Sequence, residues 1–154
     1  MKLRRISTMA AALIGVTGAG TASASVTRLC VDGGSSGSQC IWDEFPGQPA
    51  WPVSLYPPPY VDTMAYPSPN GSTGMIKDVT TGYCLQLNAA QGYIVVSQPC
   101  INDAAERWTN VYVNGRTEFR SVWDPNTCLS ANYHYDEIVA QTCVGAWWQG
   151  WGTS

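Results

Sequence analysis

The sequence predicts an all-β fold assembled from repeated units, and three observations carry that prediction. Cys40, Cys84 and Cys128 recur at a constant step of 44 residues (84 − 40 and 128 − 84), each followed by Ile41, Leu85 or Leu129. A fixed period of this length marks repeated supersecondary units. Short β-branched and aromatic runs alternate with turn residues, and no window carries an apolar i, i+3, i+4, i+7 stripe of useful length.

The amino terminus reads as a processing segment. Lys2, Arg4 and Arg5 form a positive region, Met9 to Val16 is a short apolar stretch, and Ala22-Ser23-Ala24 is a small-residue cleavage signal. Residues 1–24 are therefore expected to be a signal peptide and 25–154 a single exported domain. The Arg4-Arg5 pair raises a twin-arginine route, but its flanks fit that route poorly and ordinary secretion is expected. No later stretch is long or apolar enough to insert into a bilayer. Without the signal, five basic residues face eleven acidic ones, a net of 5 − 11 = −6. Nucleic acid and anionic membranes need clustered Lys and Arg, so neither is an expected partner.

Unit boundaries fall at about 25–71, 72–115 and 116–154. The first unit is degraded. The constant step places Cys40-Ile41 in the Cys-Leu slot and Trp51 to Tyr56 on Val95 to Cys100, so that Tyr56 takes the second cysteine slot and Met64 the tryptophan slot. A rival register puts Cys30 and Cys40 in the two cysteine slots with Trp51 closing the unit, at less regular spacing. Pro57-Pro58-Pro59 and Pro67-Ser68-Pro69-Asn70-Gly71 read as stiff surface connections, since proline cannot donate to a ladder. In the second unit Thr80-Thr81-Gly82 turns the chain before Cys84, and Tyr93-Ile94-Val95-Val96 reads as a strand. Asn110 to Val113 alternates, and Asn114-Gly115 is the strongest two-residue hairpin signal. In the third, Thr117 to Trp123 resumes as a strand and Asp124-Pro125-Asn126 turns it.

Six cysteines in an exported chain read as three disulfides. Fifteen connectivities are open, and the repeat favours one: Cys84–Cys100 and Cys128–Cys143 occupy equal positions, which leaves Cys30–Cys40. A single histidine and no CxxC pair make a metal site unexpected, and no cofactor is indicated.

The last two units match beyond their cysteines. Gly82-Tyr83-Cys84-Leu85, Cys100 and Glu106-Arg107-Trp108 line up with Cys128-Leu129, Cys143 and Gln149-Gly150-Trp151. These residues resemble the ricin-type β-trefoil lectin modules. The resemblance covers Gly74 to Trp151 well, and the first unit only by length and by Cys40. It implies three units about a pseudo-threefold axis, with Trp108 and Trp151 in a shared core. It also implies galactose-type pockets, but the residues for them are missing. The family's Asp after the Cys-Leu pair is Gln86 and Ser130 here, and Trp42 in the first unit. The stacking aromatic two residues before the second cysteine is Gln98 and Gln141. The Asn before the Gln-x-Trp motif is Ala105 and Trp148. Without carboxylate and ring, such a pocket loses its charge-assisted hydrogen bonds and most of its apolar contact.

One stretch could compensate. Asn132-Tyr133-His134-Tyr135-Asp136 gathers an amide, two rings, an imidazole and a carboxylate, and Trp147-Trp148 stands at the other end of the same unit. Asn132, Tyr133, His134, Tyr135 and Trp148 are the expected ligand-binding residues. The plainer reading is that these rings cover a small barrel of little charge. Catalysis has little support, because no nucleophile–base set or well-spaced carboxylate pair stands out. The expected function is a secreted, monomeric, non-catalytic carbohydrate-binding module with glycan partners. The alternative is a β-trefoil that has lost sugar binding and works through protein contacts.

Overall fold

The computed structural model describes residues 23–32, 38–42, 51–52, 54–56, 62–91, 93–132 and 137–153. Within them the chain forms one antiparallel network of short strands. These are β1 (Ser23–Thr27), β2 (Leu29–Asp32), β3 (Ser38–Trp42), β4 (Trp51–Pro52), β5 (Ser54–Tyr56), β6 (Met64–Ser68), β7 (Thr73–Met75) and β8 (Lys77–Asp78). They continue as β9 (Tyr83–Asn88), β10 (Ile94–Pro99), β11 (Arg107–Val113), β12 (Arg116–Ser121), β13 (Thr127–Asn132), β14 (Glu137–Thr142) and β15 (Gly152–Thr153).

The pairing register shows the repeat as geometry. Cys30 pairs with Cys40, Lys77 with Cys84, and Arg120 with Cys128. On the other side Cys40 pairs with Tyr56, Cys84 with Gln98, and Cys128 with Gln141. Thr27 pairs with Met64, Gly74 with Trp108, and Thr117 with Trp151. Met64 therefore holds the place of the two motif tryptophans. The pairing corrects one expectation: Tyr56 stands opposite Cys40, in the slot of Gln98 and Gln141, and not in the second cysteine slot. The cause is the hairpin length, since Trp42 pairs with Ser54 whereas Gln86 pairs with Val96, two residues closer in sequence.

Three trios of equivalent residues build the core. Leu29, Ile76 and Phe119 stand one residue before Cys30, Lys77 and Arg120, the partners of the three cysteines; Ile41, Leu85 and Leu129 follow those cysteines, and Met64, Trp108 and Trp151 close the set; all are buried. A side chain of this size contributes about 1.5–3 kcal/mol when fully buried. The indole N–H groups need partners inside such a core. Trp108 Nε1 donates to the Leu85 carbonyl and Trp151 Nε1 to the Leu129 carbonyl, both at 3.0 Å. Met64 has no donor, and the equivalent Ile41 carbonyl instead accepts the backbone N–H of Asp62 at 3.1 Å. The first unit thus keeps its buried carbonyl satisfied by a backbone substitute.

Disulfides join Cys30–Cys40, Cys84–Cys100 and Cys128–Cys143. The last two tie the ends of a β-hairpin, whereas the first links directly paired residues on β2 and β3. Asn114 and Gly115 both have positive φ, 52° and 83°, as a type I′ turn between β11 and β12 requires. The expected strand from Thr117 to Trp123 ends at Ser121, and Asp124 then closes a turn by accepting the backbone N–H of Thr127 at 2.9 Å. Pro57 to Pro59 lies outside the described residues.

Candidate functional site

The positions at which the resembled family builds its pocket are occupied by structural groups. Ser130 follows Leu129 on β13 and is wholly buried. Its hydroxyl donates to the Cys128 carbonyl at 2.9 Å and accepts from Gln149 Nε2 at 3.1 Å. Gln149 Nε2 also donates to the Thr142 carbonyl at 2.8 Å, and Gln149 Oε1 accepts the Val144 N–H at 2.9 Å. This buried amide clamps the segment after Cys143 onto β13, so the serine beside it faces protein and not ligand.

In the second unit a carboxylate does the equivalent work. Glu106 is fully buried, and its Oε2 accepts the N–H groups of Ile101 at 2.9 Å and Asn102 at 2.6 Å. Asp103 caps the short 3-10 helix Ala104–Glu106, its Oδ1 accepting from Ala105 at 2.9 Å and Glu106 at 3.1 Å. Gln86 reaches the other Asp103 oxygen at a long 3.4 Å. Gln98 is half-buried and Gln141 exposed, with no ring at either place.

The residues singled out from the sequence are distributed as follows. Asn132 ends β13, half-buried, with Glu137 as its cross-strand partner. Tyr133, His134 and Tyr135 lie outside the described residues. Trp148 is half-buried in the 3-10 helix Trp147–Gln149 and packs against the hydrophobic core, as Ala105 does one unit earlier. Its neighbour Trp147 is 45% exposed, and the two rings meet edge to face at 5.5 Å. Trp108 and Trp151 are core residues, and all six cysteines are in disulfides.

Two features escaped the sequence reading. Tyr93, 36% exposed, and Trp123, 51% exposed, approach to 6.4 Å. They sit in different units, and no local pattern links them. On the outer face of β12, Glu118 is buried beside Arg120, whose Nη2 donates to its Oε2 at 3.2 Å. Nothing in sequence marked Glu118 as covered. Among the described residues no group of three His, Cys, Asp or Glu could hold a metal ion.

Comparison with known proteins follows from this geometry. No family profile matches the sequence, and no curated protein matches it. Solved structures do match. The designed 3-fold symmetric protein ThreeFoil superposes with a TM-score of 0.67 at 13% identity, over 82% of this chain and 95% of that one. The chain folds as a β-trefoil. The trefoil also matches the Polyporus squamosus lectin bound to the epitope Neu5Aca2-6Galb1-4GlcNAc, with a TM-score of 0.65 and 12% identity over 84% of this chain and 48% of that one. It further matches the GlcNAcα1-4Gal-releasing endo-β-galactosidase of Clostridium perfringens, at 0.66 and 15% over 82% and 31%. The trefoil thus spans about a third of the galactosidase and half of the lectin. Three disulfides fit an oxidising environment, and among the described residues no helix is long and apolar enough to cross a membrane.

Proposed function

We propose that this trefoil is an exported, non-catalytic carbohydrate-binding module, with a glycan-binding surface in its third unit. The supporting observation is the fold: the architecture is shared with a lectin whose structure holds a sialylated glycan. A fold alone does not determine function, so the site must carry the rest. The residues proposed for it are Asn132 at the end of β13, Tyr133, His134, Tyr135 and Trp148. The helix holding Trp148 is clamped to β13 by the Gln149–Ser130 hydrogen bond, so both ends of the surface belong to one rigid unit. Rings supply a stacking face for the apolar side of a sugar, and the amide and imidazole supply directional bonds.

The structure also offers an observation for the second reading, a trefoil acting through protein contacts. Ser130 is buried beneath Gln149 in the third unit, and neither Gln98 nor Gln141 offers a ring, which supports a reading without the usual galactose pocket. A glycan array with the mature protein tests both readings. Binding that Tyr133→Ala or Trp148→Ala weakens tenfold, in variants whose melting temperature shows them folded, supports the proposed surface. A flat array across galactosides, sialosides, xylan, chitin and peptidoglycan fragments turns the choice to protein contacts.

A further inference from the structure

We infer a second saccharide subsite, separate from the surface above, in the cavity beneath the β11–β12 hairpin. It rests on the glycan-binding reading and adds a location and a set of contacts to it. The cavity has a volume of about 190 Å³ and is walled by Asn114, Arg116, Glu118, Gly145 and Trp147. Ligand pockets for larger molecules measure roughly 300–1,000 Å³, so this one suits a single sugar ring with the rest of a glycan outside.

The local sequence explains why these groups meet. The type I′ turn at Asn114-Gly115 sets Asn114 at the rim. Alternation along β12 sends Phe119 into the core and Arg116, Glu118 and Arg120 to the outer face. The segment after Cys143 then folds back over β12, pinned by the disulfide to Cys128 and by Gln149. It covers Glu118, which is left 2% exposed. Gly145 has φ +66°, and a Cβ there would sit 3.8 Å from Glu118 Oε1 and 3.7 Å from Asn114 Nδ2. The absent side chain leaves a gap between these polar atoms and the opening.

Glu118 points to a ligand. Its Oε2 is held by Arg120, while among the described residues no hydrogen bond engages Oε1, the oxygen beside Gly145. A nearly buried carboxylate oxygen is a strong acceptor that gains from a hydroxyl donor. Asn114 Nδ2 lies on the same side and can donate to a neighbouring hydroxyl oxygen. Trp147 is exposed but not loose, since its ring stands edge-on to Trp148, which is anchored on the core. Carboxylate, amide and a partly exposed indole form the set that recognises vicinal hydroxyls on one side of a pyranose and its C–H face on the other. A phosphate would meet the Glu118 charge, and a metal ion would find one carboxylate only.

This cavity lies on the first strand of the third unit, whereas the family's pocket follows the Cys-Leu pair on the second. The test is ligand-observed saturation-transfer NMR with methyl β-galactoside, methyl β-glucoside, methyl α-mannoside and N-acetylglucosamine. The panel is run on the native protein and on Glu118→Gln, Trp147→Ala, Asn114→Gly and Tyr133→Ala. Asn114→Gly keeps the positive-φ turn, so the fold is retained while the amide is lost. We expect one sugar to bind, with its affinity reduced about tenfold by Glu118→Gln, as loss of a charge-assisted bond predicts. Trp147→Ala should remove its ring-proton transfer, and Tyr133→Ala should leave both unchanged. Native binding that survives all three cavity variants within twofold overturns the cavity and leaves the glycan reading intact. Binding lost only in Tyr133→Ala overturns it also, and no binding by the native protein overturns both.

Discussion

Exchanging the polar residue that precedes each motif tryptophan by two places tests how this fold satisfies its buried groups. Gln149 and Glu106 are equivalent and both fully buried, yet their surroundings differ in hydrogen-bond polarity. Around Gln149 stand one donor, the Val144 N–H, and two groups that receive its N–H bonds, the Thr142 carbonyl at 2.8 Å and Ser130 Oγ at 3.1 Å. Around Glu106 stand only backbone donors, from Ile101 and Asn102. Gln149→Glu keeps the Val144 bond but sets a carboxylate oxygen against a carbonyl oxygen. Leaving that acceptor unpaired costs about 1–3 kcal/mol, and burying a charge with no cation beside it raises the total to about 3–4 kcal/mol. Glu106→Gln can keep both bonds at its carbonyl oxygen and loses only charge assistance, about 1–2 kcal/mol. At this size roughly 3 °C of melting temperature corresponds to 1 kcal/mol, so losses of about 10 °C and about 4 °C are expected. Differential scanning calorimetry at neutral pH reads both. The carboxyl introduced at position 149 can donate to the Thr142 carbonyl once protonated, so its penalty, measured against the native protein, should shrink as the pH falls. Equal losses from the two exchanges, or a penalty indifferent to pH, would refute the reasoning.

Four further outcomes are expected. Trp151→Phe should cost about 2–4 kcal/mol in denaturant unfolding, because it removes volume from the core and the donor to the buried Leu129 carbonyl. Met64→Trp should not repair the first unit: the Ile41 carbonyl already accepts from Asp62, so the larger ring overpacks the site and destabilises by about 1–3 kcal/mol. Replacing both Cys84 and Cys100 by Ala should lower stability by about 3 kcal/mol through the freed unfolded chain, against little change if that hairpin stays closed when unfolded. Gly82→Ala should cost about 1–2 kcal/mol in the same assay from backbone strain alone, since its φ is +77° and the nearest side-chain atom is 3.7 Å away.

The repeat, the disulfide pairing and the two core tryptophans were legible because each leaves a local mark: a cysteine spacing, a turn dipeptide, a motif recurring at equal offset. The stagger of the first hairpin was not. Two extra residues between Trp42 and Ser54 shift Tyr56 from one slot to another, and only cross-strand pairing fixes where such an insertion is absorbed. Trp148 is half-buried and packs partly against the core, as its counterpart Ala105 does, and that packing left no mark in the sequence. The Tyr93–Trp123 contact and the covering of Glu118 join residues from different strands and units, and linear pattern holds no record of them.

What the sequence determined by itself was the architecture and its staples, together with the absence of the residue types that the usual galactose pocket uses, because periodicity and missing residue types are properties of order along the chain. What the tertiary structure alone decided was which polar groups are spent on the fold and which are left over. Ser130, Gln149 and Glu106 are consumed by buried hydrogen bonds, while Glu118 Oε1 faces a cavity beside an exposed tryptophan. The reason is that burial and hydrogen-bond partnership depend on distances across strands far apart in sequence.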